Sequence, residues 1–276
     1  MELSNENIIY QKKGDVEYLQ FKKLLEYKDK ITHGYGIGLN KNYRTAKANK
    51  EALGTKEYEK AIKDYKDLSK ALGIEYETII KTNQMHTDKV QRVDGKQNLN
   101  EPDFDIYKKN DSLITDKANL SLSTTNADCI LLLFYDPVKN AIGNAHSGWR
   151  GTLQRISVKT VQKMKDEYGS NPKDIIACMC PSIRKCHFEV EEDVYEEFYN
   201  EFKSLKQLDE IFEKRGNKWH IDTNLINKII LQDFGLKPEN IIDSNICSVC
   251  HKDKIHSFRA EGKDYGLNTA IISLQK

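Results

Sequence analysis

Residues 126–152 read NADCILLLFYDPVKNAIGNAHSGWRGT. Ile130–Tyr135 is a continuous apolar run, Asp136-Pro137 and Asn140 carry turn chemistry, and Ala141–Ala145 resumes the apolar pattern. The stretch predicts two buried strands joined by a turn. If the turn is a hairpin the strands run antiparallel and their outer ends are neighbours, which brings Cys129 beside His146. The Cys129 thiol, taken alone, reads equally as an inert small hydrophobe. Asp128 next to it argues otherwise, because a carboxylate at the mouth of a buried strand costs several kcal/mol unless it is paired. Asp128, Cys129 and His146 are therefore candidate catalytic residues. Trp149-Arg150 reads two ways, as a cation stacked on an aromatic corner or as a ligand-binding arginine.

The chain has 276 residues, with 43 Lys and Arg against 42 Asp and Glu. That length buries a real core, and the balanced charge points to neither a nucleic acid nor an anionic membrane as partner. No window approaches the ~18 consecutive apolar residues of a membrane span, and the N-terminus lacks the layout of a signal peptide. The expectation is a cytoplasmic protein whose six cysteines are reduced thiols or metal ligands rather than a disulfide framework.

Outward from the centre, Ile8, Tyr10, Val16, Tyr18, Leu19 and Phe21 alternate as paired strands at a sheet edge. The glycine-rich HGYGIG at 33–38 reads as a loop near the site, since it lacks the strand-then-helix flanks of a dinucleotide loop. Thr45–Leu72 is rich in helix formers, interrupted at Gly54 and stopped at Gly73. Its charges read as a solvated face, with partner binding through this segment as the non-enzymatic alternative. Ile79–Val93 resembles a strand carrying Gln84 and His86 at its end, and residues 98–111 are polar and irregular. Leu153, Ile156, Val161 and Met164 predict a helix opened by Gly151-Thr152 and closed at Gly169, whose free N–H groups suit an anion. Further elements are a strand at Ile175–Met179, a helix at Val194–Phe202, and a helix capped by Asp222 and closed by Gly235. Strands at Ile241–Ile246 and Ala270–Leu274 bracket the last cysteines. Nothing divides the chain, so one α/β domain over 1–276 with mixed sheets is expected.

A catalytic zinc takes three protein ligands and leaves one position open, and it accepts thiolate and imidazole together. His86, Cys129 and His146 would supply such a set, although a histidine as remote in sequence as His86 is more often an ordinary hydrogen-bonded one. Cys247-Ser248-Val249-Cys250 has knuckle spacing, but without a matching second pair it is a weak zinc signal. His251 and His256 read as surface or loop histidines.

NADCILLLFYDP and IGNAHSGWRGT, with HGYGIG, NQMHTDKV, CPSIRKCHFEV and CSVC…HSFRAEG, closely resemble the family once described as multicopper polyphenol oxidoreductase laccases and now as purine nucleoside phosphorylases. The resemblance covers most of the chain. It implies an α/β/β/α sandwich similar to the cysteine hydrolase-like fold, and a zinc ion held by His86, Cys129 and His146. It further implies phosphorolysis of adenosine, inosine and methylthioadenosine, with adenosine deamination as a second activity. In that reading Asp128 is a proton carrier, Arg150 and Gly151 seat the phosphate, and Arg259 reaches the substrate. The chain departs from the family pattern at Cys180, at Cys186-His187, at Ala260 and Leu267, where arginines are usual, and in the glycine-rich segment, which lacks its arginine. Fewer cations predict weaker phosphate binding. The alternative function is a metal-free hydrolase or deamidase with Cys129 as nucleophile and His146 as base. The older oxidase label needs several copper ions, and seven scattered histidines are too few to hold them.

Overall fold

In the computed structural model, which describes residues 3–45, 54–95 and 109–275, Ile130–Asp136 and Ala141–Ser147 form the expected antiparallel hairpin. Ile130 lies opposite Ser147 and Leu131 opposite His146. Asp136 shapes the turn by accepting from the Val138 and Lys139 N–H groups at 2.8 and 3.0 Å, and Asn140 takes a left-handed φ of 50°. The hairpin occupies the middle of a six-stranded sheet, flanked by Ile176–Met179 and Ile241–Asp243 on one side and Ser112–Thr115 and Val90–Arg92 on the other. Both of its faces are covered. Leu131, Leu133 and Tyr135 enter one core cluster while Ile130, Leu132 and Phe134 enter another, which is why the apolar run is unbroken.

A second six-stranded sheet runs in the order Ile8–Lys13, Val16–Phe21, Ile31–Ile37, Asn268–Leu274, Ser121–Asn126, Ile79–Lys81. Each sheet mixes parallel and antiparallel pairs. They pack face to face, with Leu19, Tyr35, Leu122 and Ala270 meeting Leu131, Leu133 and Ile142. Asn144 ties the sheets together, donating from Nδ2 to the carbonyls of Leu122 and Ala270 at 2.9 Å each. The Lys56–Leu72 helix, capped by Thr55 and ended at Gly73, covers the outer face of this second sheet through Tyr65 and Leu68. Helices Ile156–Tyr168 and Thr223–Asp233 cover the hairpin's sheet through Val161, Met164 and Leu231, and Asp222 caps the latter as expected. The layers are helix, sheet, sheet, helix. A three-stranded sheet of Glu189–Val190, Phe212–Arg215 and Lys218–Ile221 lies beside helix Glu192–Phe202.

Several local expectations change. The HGYGIG segment lies, up to Ile37, within the Ile31–Ile37 strand rather than in a loop, and Gly38 follows the strand with a φ of 107°. Its glycines serve close packing: a Cβ on Gly34 would fall 2.7 Å from Leu72, and one on Gly36 would fall 2.7 Å from Leu68 and the Tyr43 hydroxyl. Ile79–Val93 is two strands in two different sheets, with His86 in the connection. The helix after the hairpin divides into Trp149–Leu153 and Ile156–Tyr168 because Arg155 adopts a φ of 58°. The strand expected at 241–246 stops at Asp243. Residues 46–53 of the Thr45–Leu72 segment and 98–108 of the polar 98–111 segment lie outside the described residues. Among the described residues no helix is long and apolar enough to cross a membrane.

Alternation along Ile31–Ile37 turns His33 inward, where it is 1% exposed. Its Nε2 accepts from the Phe21 N–H at 2.7 Å, and burial lowers its pKa to about 3. The unfolded chain takes up this proton near pH 6.5 and the folded chain does not, so stability falls as pH drops from about 6.5 to about 3. At pH 5 the loss is about 2 kcal/mol. Urea midpoints at pH 7 and pH 5 should show that His33→Gln removes this part of the pH dependence; a difference between the two proteins that is independent of pH would refute the assignment.

Candidate metal centre

Two chain crossovers between the sheets build the site. Ser121–Asn126 belongs to one sheet and Ile130–Asp136 to the other, so Ala127-Asp128-Cys129 makes the passage. Asp128 takes a φ of 87°, a region that Asp tolerates better than most residues. Its carboxylate is fully engaged: the Ser248 hydroxyl donates to Oδ1 at 2.6 Å and the Arg259 N–H to Oδ2 at 2.7 Å. These are the partners that a buried carboxylate requires. Both hydrogen bonds hold the Ser248 and Arg259 segments against the crossover, and Asp128 also lines the site's cavity. Cys129 follows at the end of the strand.

The second crossover runs from Ile79–Lys81 to Val90–Arg92. Gln84 imitates a peptide group there, accepting from the Thr125 N–H at 2.8 Å and donating to the Thr125 carbonyl at 2.7 Å. This pins the loop to the Ser121–Asn126 strand. His86 has a φ of 58°, and its N–H donates to Asp111 Oδ1 at 3.0 Å. On the hairpin, residues 142, 144 and 146 share the face that looks between the sheets, so His146 emerges at the end of that layer.

Ligand atoms of His86, Cys129 and His146 all lie within 4.8 Å of one another. Cys129 Sγ is 3.9 Å from His86 Nε2, and the two imidazoles meet edge to face with centroids 4.9 Å apart. Asp111, which the sequence reading did not single out, organises the group. Its Oδ1 is 2.8 Å from His146 Nδ1, leaving the other ring nitrogen of His146 for the cluster. The Met85 and Thr87 N–H groups and the Thr87 hydroxyl donate to Oδ2 at 3.1, 2.8 and 2.8 Å. Burial pushes the Asp111 carboxyl up, but the His146 hydrogen bond and charge and the surrounding N–H donors hold it below the usual range. Burial also pushes the Cys129 thiol up, while His146 and His86 bring it down to about 6. His146 is lowered by burial and raised by the Cys129 thiolate and Asp111, to about 9. Gly148 leaves the cluster its room: a Cβ there would fall 2.6 Å from His86 Cδ2 and 3.1 Å from Cys129 Sγ. Two imidazoles and a thiolate with a carboxylate behind one of them form a donor set that fits a divalent transition metal.

The cluster opens into a cavity of about 780 Å³, within the range of small-molecule sites. Trp149, Phe188, Phe258 and Tyr265 supply aromatic surface, and Arg44, Lys218 and Arg259 supply cations. Arg44 lies 4.2 Å over the Tyr265 ring and donates to the Tyr265 carbonyl at 2.7 Å. Arg259 donates to the carbonyls of His187 and Glu189 at 2.9 and 3.0 Å. Arg150 and Gly151, expected to seat the phosphate, are not among the residues that line this cavity. Trp149 faces inward, so the next helical position turns away, and Arg150 folds over the Trp149 ring at 4.1 Å on the exposed side. Gly151 instead permits packing, since a Cβ would sit 3.3 Å from Ile156 Cγ2. His256 is in a loop but is buried rather than on the surface, with Nε2 bonded to the Lys41 carbonyl at 2.7 Å and Nδ1 2.9 Å from Glu261.

A family model described as multi-copper polyphenol oxidoreductase laccase matches residues 42–275. The chain is similar to the human protein named purine nucleoside phosphorylase LACC1, at 34% identity over 170 residues. That match takes in 60% of this chain and only 38% of the human protein's length. A protein named adenosine deaminase RL5, from an unknown prokaryotic organism, is 28% identical over 205 residues, which cover 72% of this chain and 76% of that one. The crystal structure of YlmD from Geobacillus stearothermophilus has a TM-score of 0.81 at 21% identity, covering 98% of this chain and 100% of that chain, and so shares its fold.

Proposed function

The chain belongs to the multi-copper polyphenol oxidoreductase laccase family, and on that premise we propose that it is a zinc-dependent purine nucleoside phosphorylase with adenosine deaminase activity. One observation carries the reading: a two-histidine, one-cysteine cluster lies among the walls of an aromatic-lined cavity large enough for a nucleoside. The names of the similar proteins supply the two activities. We further propose that the chain is one domain, which the core shared by both sheets supports. Its six free thiols support a cytoplasmic setting.

The aromatic walls at Trp149, Phe188, Phe258 and Tyr265 suit a flat purine, which stacks with its polar edges free for hydrogen bonding. Phosphorolysis breaks the bond between ribose and base and joins the ribose carbon to a phosphate oxygen, giving free base and ribose 1-phosphate. Arg44 and Arg259 hold positive charge on the wall where phosphate and the developing negative charge on the base need it. A zinc ion held by His86, Cys129 and His146 would supply Lewis acidity toward a substrate atom. Asp111 fixes both histidines for that task.

Purified protein incubated with adenosine, with and without phosphate, tests the proposal. Adenine with ribose 1-phosphate appearing only when phosphate is present marks phosphorolysis, and inosine marks deamination. Metal-loaded protein that turns over neither adenosine, inosine nor methylthioadenosine would overturn it. A second reading, the metal-free hydrolase, is favoured by the lowered Cys129 thiol beside the raised His146. Chelator-stripped protein with undiminished turnover would select it. Copper and oxidase chemistry rest on the family description alone.

A further inference from the structure

Away from His86, Cys129 and His146, the structure assembles another set of soft donors. Cys186 and His187 sit in a turn in which the Arg184 carbonyl accepts from the N–H groups of His187 and Phe188 at 2.8 Å each. Cys247 is bridged to Ser182, and Cys250 follows in the next turn. The second half of the site, absent from any CxxC spacing in the sequence, is therefore the adjacent pair Cys186-His187. Ligand atoms of all four residues lie within 4.8 Å of one another.

We propose that Cys186, His187, Cys247 and Cys250 bind a second, structural zinc ion. A tetrahedral zinc with Zn–S about 2.3 Å and Zn–N about 2.0–2.1 Å sets its sulfurs about 3.8 Å apart and its nitrogen about 3.5 Å from each sulfur. Cys186 Sγ lies 3.6 Å from Cys247 Sγ and 4.0 Å from Cys250 Sγ. His187 Nδ1 lies 3.2, 3.6 and 3.6 Å from the sulfurs of Cys186, Cys247 and Cys250. Five edges of the four-atom figure thus match those of a tetrahedron around one ion. A disulfide would instead bring one pair of sulfurs to about 2.05 Å. Four protein donors close the coordination sphere, so the ion holds structure and has no open position for substrate.

Its place in the fold says what it holds. The carbonyls of His187 and Glu189 receive the Arg259 guanidinium, and Phe188 and Glu189 line the cavity. Ser248, between the two knuckle cysteines, donates to Asp128 at 2.6 Å. The ion joins the segment that receives Arg259 to the segment that anchors the Cys129 crossover. Its removal loosens the cavity rim, which raises KM more than it lowers kcat.

The test uses the full chain, loaded with zinc, desalted, and measured for metal per chain. Cys129→Ala removes a ligand of the other cluster and is expected to retain about one zinc per chain. Adding Cys250→Ser should abolish that zinc, whereas Cys250→His, which restores a donor, should keep it. Loaded with cobalt instead, Cys129→Ala should show thiolate-to-cobalt charge-transfer absorption that Cys250→Ser eliminates. Cys250 is exposed, so circular dichroism should report a folded variant. Cys129→Ala protein that takes up no zinc would overturn the proposal, as would zinc content indifferent to Cys250→Ser. A Cys186–Cys247 disulfide in protein purified under reductant would also overturn it.

Discussion

Cys129→Ala is expected to lower kcat for adenosine by at least about 10³-fold, the scale on which loss of a group stabilising the transition state acts. The thiol is the softest donor among His86, Cys129 and His146, and it ends the crossover that passes between the two sheets. Nothing nearby replaces it without moving the backbone, because the Asp128 carbonyl accepts from the Ile183 N–H at 2.8 Å and the Asp128 carboxylate is tied to Ser248 and Arg259. The fold should survive. The packing about the hairpin depends on Leu131, Leu133 and Tyr135 on one face and Ile130, Leu132 and Phe134 on the other, none of which changes. Thermal unfolding near the parent temperature, together with lost turnover and one metal fewer per chain, is the expected result. Full activity in metal-depleted Cys129→Ala protein would remove both the metal-dependent reading and the nucleophile reading.

The hairpin was legible because strands covered on both faces leave an unbroken apolar run, and Cys129 and His146 stand where that run gives way to polar residues that are themselves largely buried, His146 among them. What pattern alone did not show was that Ala127-Asp128-Cys129 changes sheets, since a crossover leaves no periodicity and its signature is one left-handed residue, Asp128. Helical spacing concealed the break at Arg155 for a similar reason: apolar residues on either side stay nearly in phase. The HGYGIG segment misled in the opposite direction. Its glycines suggest a loop, yet Gly34 and Gly36 are there because a helix lies against that strand, and the helix partners Leu68 and Leu72 are more than 30 residues away. Asp111 escaped notice because its role rests on contacts with residues 85–87 and 146, which no local window includes. The Cys186-His187 half of the second donor cluster was hidden by the same kind of separation.

Asp111→Asn should weaken metal binding at His86, Cys129 and His146 by about 10–100-fold, the usual consequence of removing a carboxylate behind a ligating histidine. The side chain is nearly isosteric, so the effect is one of polarity. Oδ1 serves the His86 N–H and His146 Nδ1, while Oδ2 serves the Met85 and Thr87 N–H groups and the Thr87 hydroxyl. An amide can accept at only one of these places, and its NH₂ group must then face donors wherever it points. A buried donor is left unsatisfied, at about 1–3 kcal/mol of stability, and either His86 or His146 loses its orientation. The pH dependence separates this role from simple packing. Because the Asp111 pKa is lower in the folded chain than in the unfolded one, its stabilisation is present above the unfolded value near pH 4 and is lost as pH falls through the folded value. Asp111→Asn should therefore destabilise the protein more at pH 7 than at pH 3. Metal titrations of parent and variant at pH 7, with denaturation midpoints at both pH values, would measure the two effects. An unchanged metal affinity would show that Asp111 supports only the loop at 85–87 and not the ligands.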